Sequence, residues 1–424
     1  MKCIRTILLI FILFAANPVF ATDWPQYLGP DRNAVSGEKG LLRAWPEEGP
    51  KVLWTVPLGE GFGGAAISDG KVYVYDRVED KTNILRCLDL MTGKEEWTFS
   101  NEAPGHFSFN GSRSAPTIDG NKIYICDLAG NLNCVDKNTH KSLWHKNIWT
   151  DFGGTDLPKW AISQNPLVYQ NMVIVASQTE EAGIVAYDKN NGNIIWKTSR
   201  LPGRTGFNAG YVSPAIVKIS GEDHLTMVTA SSRDGSIKGA VLGYSPKDGN
   251  LLWKYEGWQC RIPVPNVTQI NDNQLFITAG YVAGGALFQI DKAGDSYSVK
   301  EIMTSKKFGT HVHPAILYKG HLYGHASNNE VQDGFMCMDL SGNIKWETGR
   351  KPGFDKGGFI LVDDMIISSD GGKMLYLIEP TPTDFKVLSK ATLLDKKPSW
   401  APLALSDGKL VIRDQEQMKC ILVK

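Results

Sequence analysis

The chain has 424 residues, with 45 lysines and arginines against 45 aspartates and glutamates, so its formal net charge is zero. This balance, without a lysine- or arginine-rich run, argues against nucleic acid or an anionic membrane surface as the main partner. The length alone suggests two or three domains, unless an internal repeat organises the whole chain.

The N-terminus has the composition of a removable export signal. Two basic residues precede a short apolar run at residues 7–16, and residues 19–21 end in a small residue suited to cleavage. The run is too short to span a bilayer. We predict a signal peptide over residues 1–21, cleavage near Ala21, and a periplasmic or secreted protein without a lipid anchor or a transmembrane segment.

The next segment, residues 22–50, is rich in proline, glycine and polar residues. Its start reads DWPQYLGPDRNAVSG. Such a sequence favours turns and extended backbone over a helix or a regular sheet. We predict an extended N-terminal arm that lies on the following domain and is anchored by Trp24, Tyr27 and Trp45.

The rest of the chain is dominated by a repeated segment, in which an Asp or its equivalent precedes a turn and a Trp ends the unit. The copies are LDLMTGKEEW, VDKNTHKSLW, YDKNNGNIIW, YSPKDGNLLW and MDLSGNIKW, ending at Trp97, Trp144, Trp196, Trp253 and Trp346. A spacing of roughly 40–50 residues indicates a repeat architecture. The repeat therefore makes residues 51–424 one domain.

Each unit reads as four short strands. Alternating apolar residues such as KVYVY, KIYIC and MVIVA, bounded by Gly, Asn and Asp turns, are typical of strands joined by hairpins. The first strands of the units begin at eight places: Ala66, Pro116, Pro166, Pro214, Pro265, Pro314, Ile360 and Pro402. Units 5 and 7 lack the closing Trp.

The final unit, residues 399–424, has only three strands. The segment KVLWTVPL at residues 51–58 carries Trp54 where a closing Trp belongs, and no unit precedes it. The sequence therefore predicts an all-β fold, an eight-bladed antiparallel β-propeller closed by the N-terminal strand, because closure protects exposed strand edges. We expect a monomer.

Four cysteines occupy one repeat position, just before the turn: Cys87, Cys134, Cys337 and Cys420. Other blades place Ala186 and Gly243 there. These residues read as small buried fillers, one in each blade and too far apart to bridge. We expect no disulfide.

The order of strand, Asp-Gly, alternating strand, Leu-Asp, Thr-Gly and Trp resembles the pyrroloquinoline quinone (PQQ)-type β-propeller repeat over residues 51–424. Two classes of protein share this repeat. Quinoprotein dehydrogenases bind PQQ and Ca2+ on the propeller axis and oxidise alcohols or sugars, whereas BamB-like eight-bladed propellers are non-catalytic protein-binding scaffolds. The arm also resembles that of exported propellers with a WPQ-x-x-GP-x-R start.

Departures from both classes shape the functional prediction. The chain has no adjacent Cys-Cys pair, no match to the Ca2+-binding and catalytic acidic motifs of the dehydrogenases, and no cysteine at the expected mature N-terminus. The leading hypothesis is an exported, non-catalytic scaffold that requires no cofactor and binds a protein segment or a small molecule at the channel mouth. The alternative is a quinoprotein dehydrogenase that oxidises an alcohol or sugar with PQQ and Ca2+.

The segments that lead into the first strands converge at the channel mouth of a propeller, where function usually lies. They are rich in aromatic and basic residues, which suit an anionic or polar ligand. The alternative interpretation is that these side chains only fill the channel mouth and bind no ligand. The candidate ligand-binding residues are Phe109, Arg113, Trp160, Asn165, Arg204, Tyr211, Arg261, His311, His313 and Trp400, and Lys356 belongs to the same set of segments.

His311 and His313 also form a candidate metal edge. They are two residues apart, so they share a face in extended backbone, and neutral imidazole binds Zn2+ or Cu2+. A metal-dependent enzyme is thus a third hypothesis. Its alternative is that both residues line the pocket or are hydrogen-bonded.

Overall fold

The computed structural model describes residues 23–205, 211–327 and 332–424, and these are almost entirely β-structure. Eight sheets follow one another along the chain, and the first strands of neighbouring sheets contact each other around a central channel. The protein is therefore an eight-bladed β-propeller, as predicted. Within the described ranges the helical structure is one 3-10 turn at Thr150–Phe152, and no helix is long and apolar enough to cross a membrane. The predicted signal peptide lies outside the described residues.

The first four blades run from the channel outward in chain order. Blade 1 contains β3 (Ala66–Ser68), β4 (Lys71–Val78), β5 (Thr82–Asp89) and β6 (Glu95–Glu102). Blade 2 contains β7 (Thr117–Asp119), β8 (Lys122–Cys126), β9 (Asn131–Asp136) and β10 (Ser142–Asn147). Blade 3 contains β11 (Leu167–Tyr169), β12 (Met172–Ala176), β13 (Ile184–Asp188) and β14 (Ile194–Lys197). Blade 4 contains β15 (Ala215–Ile219), β16 (Glu222–Val228), β17 (Val241–Tyr244) and β18 (Leu251–Tyr255).

The remaining blades complete the ring. Blade 5 contains β19 (Thr268–Gln269), β20 (Gln274–Ala279), β21 (Gly284–Ala293) and β22 (Ser296–Ser305). Blade 6 contains β23 (Ile316–Tyr318), β24 (His321–Ser327), β25 (Gln332–Asp339) and β26 (Ile344–Glu347). Blade 7 contains β27 (Phe359–Val362), β28 (Met365–Ser369), β29 (Met374–Glu379) and β30 (Lys386–Thr392), with β1 (Val35–Ser36) added to its inner edge. Blade 8 contains β31 (Ala404–Ser406), β32 (Lys409–Arg413), β33 (Gln417–Leu422) and β2 (Val52–Pro57).

The ring closes through the first strand of the propeller. β2 is the outer strand of blade 8 and pairs antiparallel with β33, with Trp54 opposite Cys420. The two strands are about 360 residues apart in the sequence, and their pairing leaves blade 8 with its full set of four strands. The predicted closure by the N-terminal strand is confirmed.

In the blades that have it, the repeated Trp contacts the next blade of the ring. Trp144 in blade 2 lies against Gly192 in the last turn of blade 3, where an added Cβ would come within 2.9 Å of the indole. Its Nε1 donates to the Lys189 carbonyl of the same turn at 3.3 Å. Equivalent contacts join Trp54 to Gly93 and Trp196 to Gly249. The turn glycine is therefore needed for two reasons, because its φ is +73° at Gly192 and because the indole occupies the space of a side chain.

The repeated cysteines make room for the same Trp. Directly opposite partners in the ladder are Cys87 and Trp97, Cys134 and Trp144, Cys337 and Trp346, and Cys420 and Trp54. All cysteines in the described part of the chain are buried free thiols, which agrees with the prediction of small fillers. In blade 5, which lacks the Trp, Met303 takes its place against Gly342 of blade 6.

The N-terminal arm crosses the channel along the inner strands. Trp24 exchanges two backbone hydrogen bonds of 2.9 and 2.8 Å with Ile67 in blade 1, and the Pro25 carbonyl accepts from the Ile118 amide in blade 2. Farther along, β1 pairs in parallel with β27 in blade 7. The arm thus adds a strand to blade 7 and is held to blades 1 and 2 by backbone hydrogen bonds.

The end of the arm reaches the blade that closes the ring. The Leu42 amide donates to the Val423 carbonyl at 2.9 Å, and the Gly408 amide donates to Glu38 Oε2 at 2.7 Å. Trp24 is 1% exposed and Trp45 is 7% exposed. Both are therefore buried anchors, as the sequence indicated.

Candidate functional site

A cavity of about 320 Å3 lies at the channel mouth, where the loops that lead into the inner strands converge. Tyr27 from the arm also lines it. A second cavity of about 500 Å3 lies toward the other end of the inner strands and is lined by Gln26 and Arg32 of the arm. The arm therefore separates the two cavities and forms the floor of the mouth cavity.

The walls of the mouth cavity are mainly aromatic. On one side, the ring of Trp400 lies 5.6 Å from that of Phe62 and 5.5 Å from that of Phe109. On the other side, Trp160 lies 5.6 Å from Tyr211 and stacks on Tyr281 at 6.4 Å. These two groups present ring faces and edges to the space between them, which suits a planar or apolar ligand.

Two of these aromatic residues have unusual backbone conformations. Phe109 and Tyr281 have φ values of 57° and 56°, in the left-handed region that bulky residues rarely adopt. Both side chains line the cavity. Such strain costs on the order of 1–3 kcal/mol per residue and is concentrated at binding and active sites.

The charged side chains that line the cavity are basic. Arg113 donates to the carbonyls of Ser108, Phe109 and Gly111 at 2.6, 2.7 and 3.2 Å, and burial lowers its pKa to about 10. Lys356 Nζ lies 4.6 Å from the centre of the Trp400 ring and 2.8 Å from Asp355 Oδ1. Among the described residues that line the cavity, none is acidic.

The two histidines that were predicted to share a face both line the cavity. His311 is 9% and His313 is 4% exposed, and the Nδ1 atom of each has no hydrogen-bond partner among the described residues. Burial lowers the pKa of His311 to about 3 and of His313 to about 4. His313 Nε2 lies 3.1 Å from the Trp400 carbonyl, so it must donate there, which leaves Nδ1 of the neutral ring as a buried, unpaired acceptor.

Eight of the ten candidate residues come together around the cavity. They are Phe109, Arg113, Trp160, Asn165, Tyr211, His311, His313 and Trp400. Arg204 lies instead in a shallow surface site with Arg233 and Asp234, because its backbone bridges Ala230 in the loop between β16 and β17. Arg261 follows the buried Cys260 and is not among the lining residues.

Three aromatic lining residues were not among the candidates. Tyr27 was predicted only as an anchor of the arm. Phe62 precedes the first inner strand, so it occupies the same repeat position as the candidates. That shared position could have identified Phe62 from the sequence. Tyr281 lies in the loop between β20 and β21, a different class of loop, and no repeat position marks it.

The cavity does not fit a bound Ca2+ ion. Ca2+ takes six to eight oxygen ligands, with carboxylates prominent among them, whereas no described lining residue is acidic. The Asn165 amide is already used between blades, since Oδ1 accepts from the Ala115 amide at 2.7 Å and Nδ2 donates to Ser213 Oγ at 2.9 Å. PQQ held through Ca2+, as the resemblance implies for the dehydrogenases, therefore lacks its metal ligands here.

A transition-metal site at the histidines is also incomplete. Protein Zn2+ sites use three or four ligands. The described residues contain no group of three or more His, Cys, Asp and Glu side chains that could hold a metal. His311 and His313 thus lack a third protein ligand within the described ranges.

Comparison with known proteins gives relatives with different functions. A tetrathionate hydrolase from Acidithiobacillus ferrooxidans is 24% identical over 249 residues, or 57% of this chain and 45% of that protein. A quinohemoprotein alcohol dehydrogenase from Comamonas testosteroni is 25% identical over 208 residues, or 44% of this chain and 27% of that protein. The chain therefore spans less than half the length of these curated relatives.

Solved structures share the fold at low identity. The crystal structure of the Comamonas testosteroni dehydrogenase has a TM-score of 0.64 at 14% identity, covering 95% of this chain and 80% of that one. BamB from Moraxella catarrhalis has a TM-score of 0.61 at 14% identity, covering 88% of this chain and 99% of that one. A family model described as outer membrane protein assembly factor BamB matches residues 22–158 and 81–348, so the chain belongs to this family of PQQ-type propellers.

Proposed function

We propose that the protein is an exported, non-catalytic binding protein that holds a small organic ligand in its mouth cavity. The observation that carries the proposal is the cavity itself, about 320 Å3 in volume, walled by aromatic rings and floored by Tyr27 of the arm. A concave, largely apolar and preformed pocket with a few polar groups is the usual form of a small-molecule site.

The exposure of Phe109 supports binding rather than simple filling of the channel. Phe109 is 48% exposed although it is large and apolar, and it adopts a strained φ. A residue that only sealed the channel would gain more by burying its ring. A ligand that covers Phe109 supplies the missing burial.

A protein segment is the other occupant to consider, because the family model carries the name of an assembly factor. The floor at Tyr27 prevents a chain from threading the channel, so a protein partner would insert one side chain or a loop tip. The dimensions of the cavity favour a small ligand over such a segment.

Dehydrogenase activity is the second candidate, because quinoprotein and quinohemoprotein alcohol dehydrogenases are among the relatives. Against it stands the lack of acidic lining residues. The test is a titration of metal-stripped mature protein with PQQ, with and without Ca2+, followed by tryptophan fluorescence and by dye reduction with alcohols and sugars. Saturable Ca2+-dependent quenching with substrate-dependent dye reduction would overturn the non-catalytic proposal.

Ligand binding in the cavity is tested with a filled variant. Val264 lines the cavity, so Val264→Trp should block it, whereas Val387 is 37% exposed on β30 and Val387→Trp is the matched control. A thermal-shift screen of small organic acids, amines, nucleosides and sugars should give hits whose affinity falls at least about tenfold, or 1.4 kcal/mol, in V264W only. Hits that bind both variants equally would place the site elsewhere, and the proposal would fail.

A further inference from the structure

We infer that the mouth cavity takes an organic anion with a planar body, and that arginine and lysine, rather than Ca2+, meet its charge. This inference rests on the proposed function and names the ligand class of the same cavity.

The positive charge of Arg113 is the main support. Its guanidinium donates to three backbone carbonyls, and within the described ranges it forms no ion pair with a carboxylate. Carbonyls satisfy its hydrogen bonds but do not neutralise its charge. A partly buried cation without a counter-charge is costly, and an anion in the cavity would supply that counter-charge.

Lys356 is only partly neutralised. Its Nζ is paired with Asp355 Oδ1 at 2.8 Å, while Asp355 Oδ2 also accepts from Trp400 Nε1 at 3.0 Å. The Asp355 carboxylate is thus shared between Lys356 and Trp400. Asp355 is not among the residues that line the cavity. Lys356 remains over the Trp400 ring at the cavity wall, within reach of a ligand that stacks on that ring.

A third cation lies under the floor. The Arg32 guanidinium is 5.8 Å from the centre of the Tyr27 ring, and it donates to the Asn165 and Pro166 carbonyls at 3.1 and 2.9 Å. It too forms no ion pair with a carboxylate in the part of the chain that the structure describes. Arg32 and Arg113 therefore set a positive potential on the cavity, and low-dielectric walls focus such a field.

The aromatic walls of the cavity favour a ligand of flat shape. Trp400 and Trp160 belong to the two opposed aromatic groups, and the space between them suits a flat body that contacts ring faces. A planar aromatic carboxylate combines these features.

The test uses two probes of the same size, naphthalene-2,6-dicarboxylate and the neutral naphthalene-2,6-dimethanol. Calorimetric titration of the mature protein in EDTA should give saturable binding of the dicarboxylate, about tenfold or more tighter than the diol. The same affinity should be measured with Ca2+, and high salt should weaken it. Arg113→Met should remove the preference for the acid, and Arg113→Lys should restore most of it. Arg204→Met is the control, because Arg204 lies outside the cavity.

Each outcome bears on a different claim. Equal affinity for acid and diol, or acid binding only with Ca2+, would overturn the inference and leave the proposed function standing. Absence of binding by both probes and by the wider screen would overturn both. Diol binding that is unchanged in R113M shows that the cavity of this variant is intact, so a loss of acid binding there reports charge and not unfolding.

Discussion

Replacement of Trp144 by alanine tests whether contacts between indole and glycine hold the blades together. Trp144 is 8% exposed, and its ring lies 5.9 Å from Tyr124 and 6.3 Å from Tyr187. Loss of a buried aromatic side chain costs about 3–5 kcal/mol, and the hydrogen bond to the Lys189 carbonyl is worth about 1 kcal/mol within this sum. We expect W144A to lower the free energy of unfolding by about 4 kcal/mol.

The glycine on the other side of the contact makes the test specific. Gly192→Ala introduces a Cβ 2.9 Å from the Trp144 indole at a φ of +73°. The φ costs about 1–2 kcal/mol and the overpacking about 1–3 kcal/mol more. In the W144A background only the φ cost should remain, so a double-mutant cycle should give a coupling of about 1–3 kcal/mol.

Gly221→Ala is the matched control, because its φ is +77° and nothing lies within 4 Å of the added Cβ. It should carry the φ cost and show no coupling to Trp144. Urea unfolding followed by circular dichroism measures all variants, with an unchanged m-value as the condition for comparing them. A loss below about 1 kcal/mol for W144A, or equal costs of G192A in both backgrounds, would refute the reasoning.

Three further predictions concern closure, acid stability and export. Deletion of residues 52–57 removes the outer strand of blade 8, so the cooperative thermal transition should be lost, and an unchanged melt would contradict closure. The pKa values of His311 and His313, about 3 and about 4, lie below the value of about 6.5 for histidine in the unfolded chain. As the pH falls, the unfolded chain therefore binds protons at a higher pH than the folded protein does. The contribution of these histidines to the free energy of unfolding should be full above pH 6.5 and should fall toward pH 4 by up to about 1.4 kcal/mol per pH unit for each histidine. Urea titrations at several pH values should show a shallower fall for His311→Asn than for the unaltered protein. An identical fall in the two proteins would refute this assignment. Mass spectrometry of the exported protein should find Thr22 at the N-terminus without a lipid, and retention of residues 1–21 would contradict the signal-peptide prediction.

The fold could be predicted from the sequence because its main contacts recur at fixed positions. Trp144 and Gly192 belong to successive copies of one motif, and Cys134 stands opposite Trp144 in the ladder. Even the exception is informative, since His140 replaces the turn glycine in blade 2 and Trp97 stacks on its ring at 4.4 Å. Because the contact between blades recurs around the ring, the residues that make it recur at a regular spacing in the sequence.

The site was predicted less completely because loops set its details. Residues that immediately precede inner strands, such as Trp160 and His313, point to the mouth in a propeller. Tyr281 arrives from the hairpin between β20 and β21, and its approach depends on a left-handed backbone that the sequence does not mark. Arg204 lies farther from its inner strand, at a point where its backbone pairs with Ala230, and loop paths of that kind follow from tertiary packing.

The pairing of β2 with β33 has a consequence for biogenesis. During synthesis, β2 must wait until β33, about 360 residues later, has emerged before it finds its partner. Until then its backbone edge is open to pairing with other chains, and such long-range pairings form slowly. A holding factor that shields this segment during synthesis would therefore raise the yield of folded protein, and a circular permutant that begins after Pro57 and makes the two strands neighbours should need that factor less.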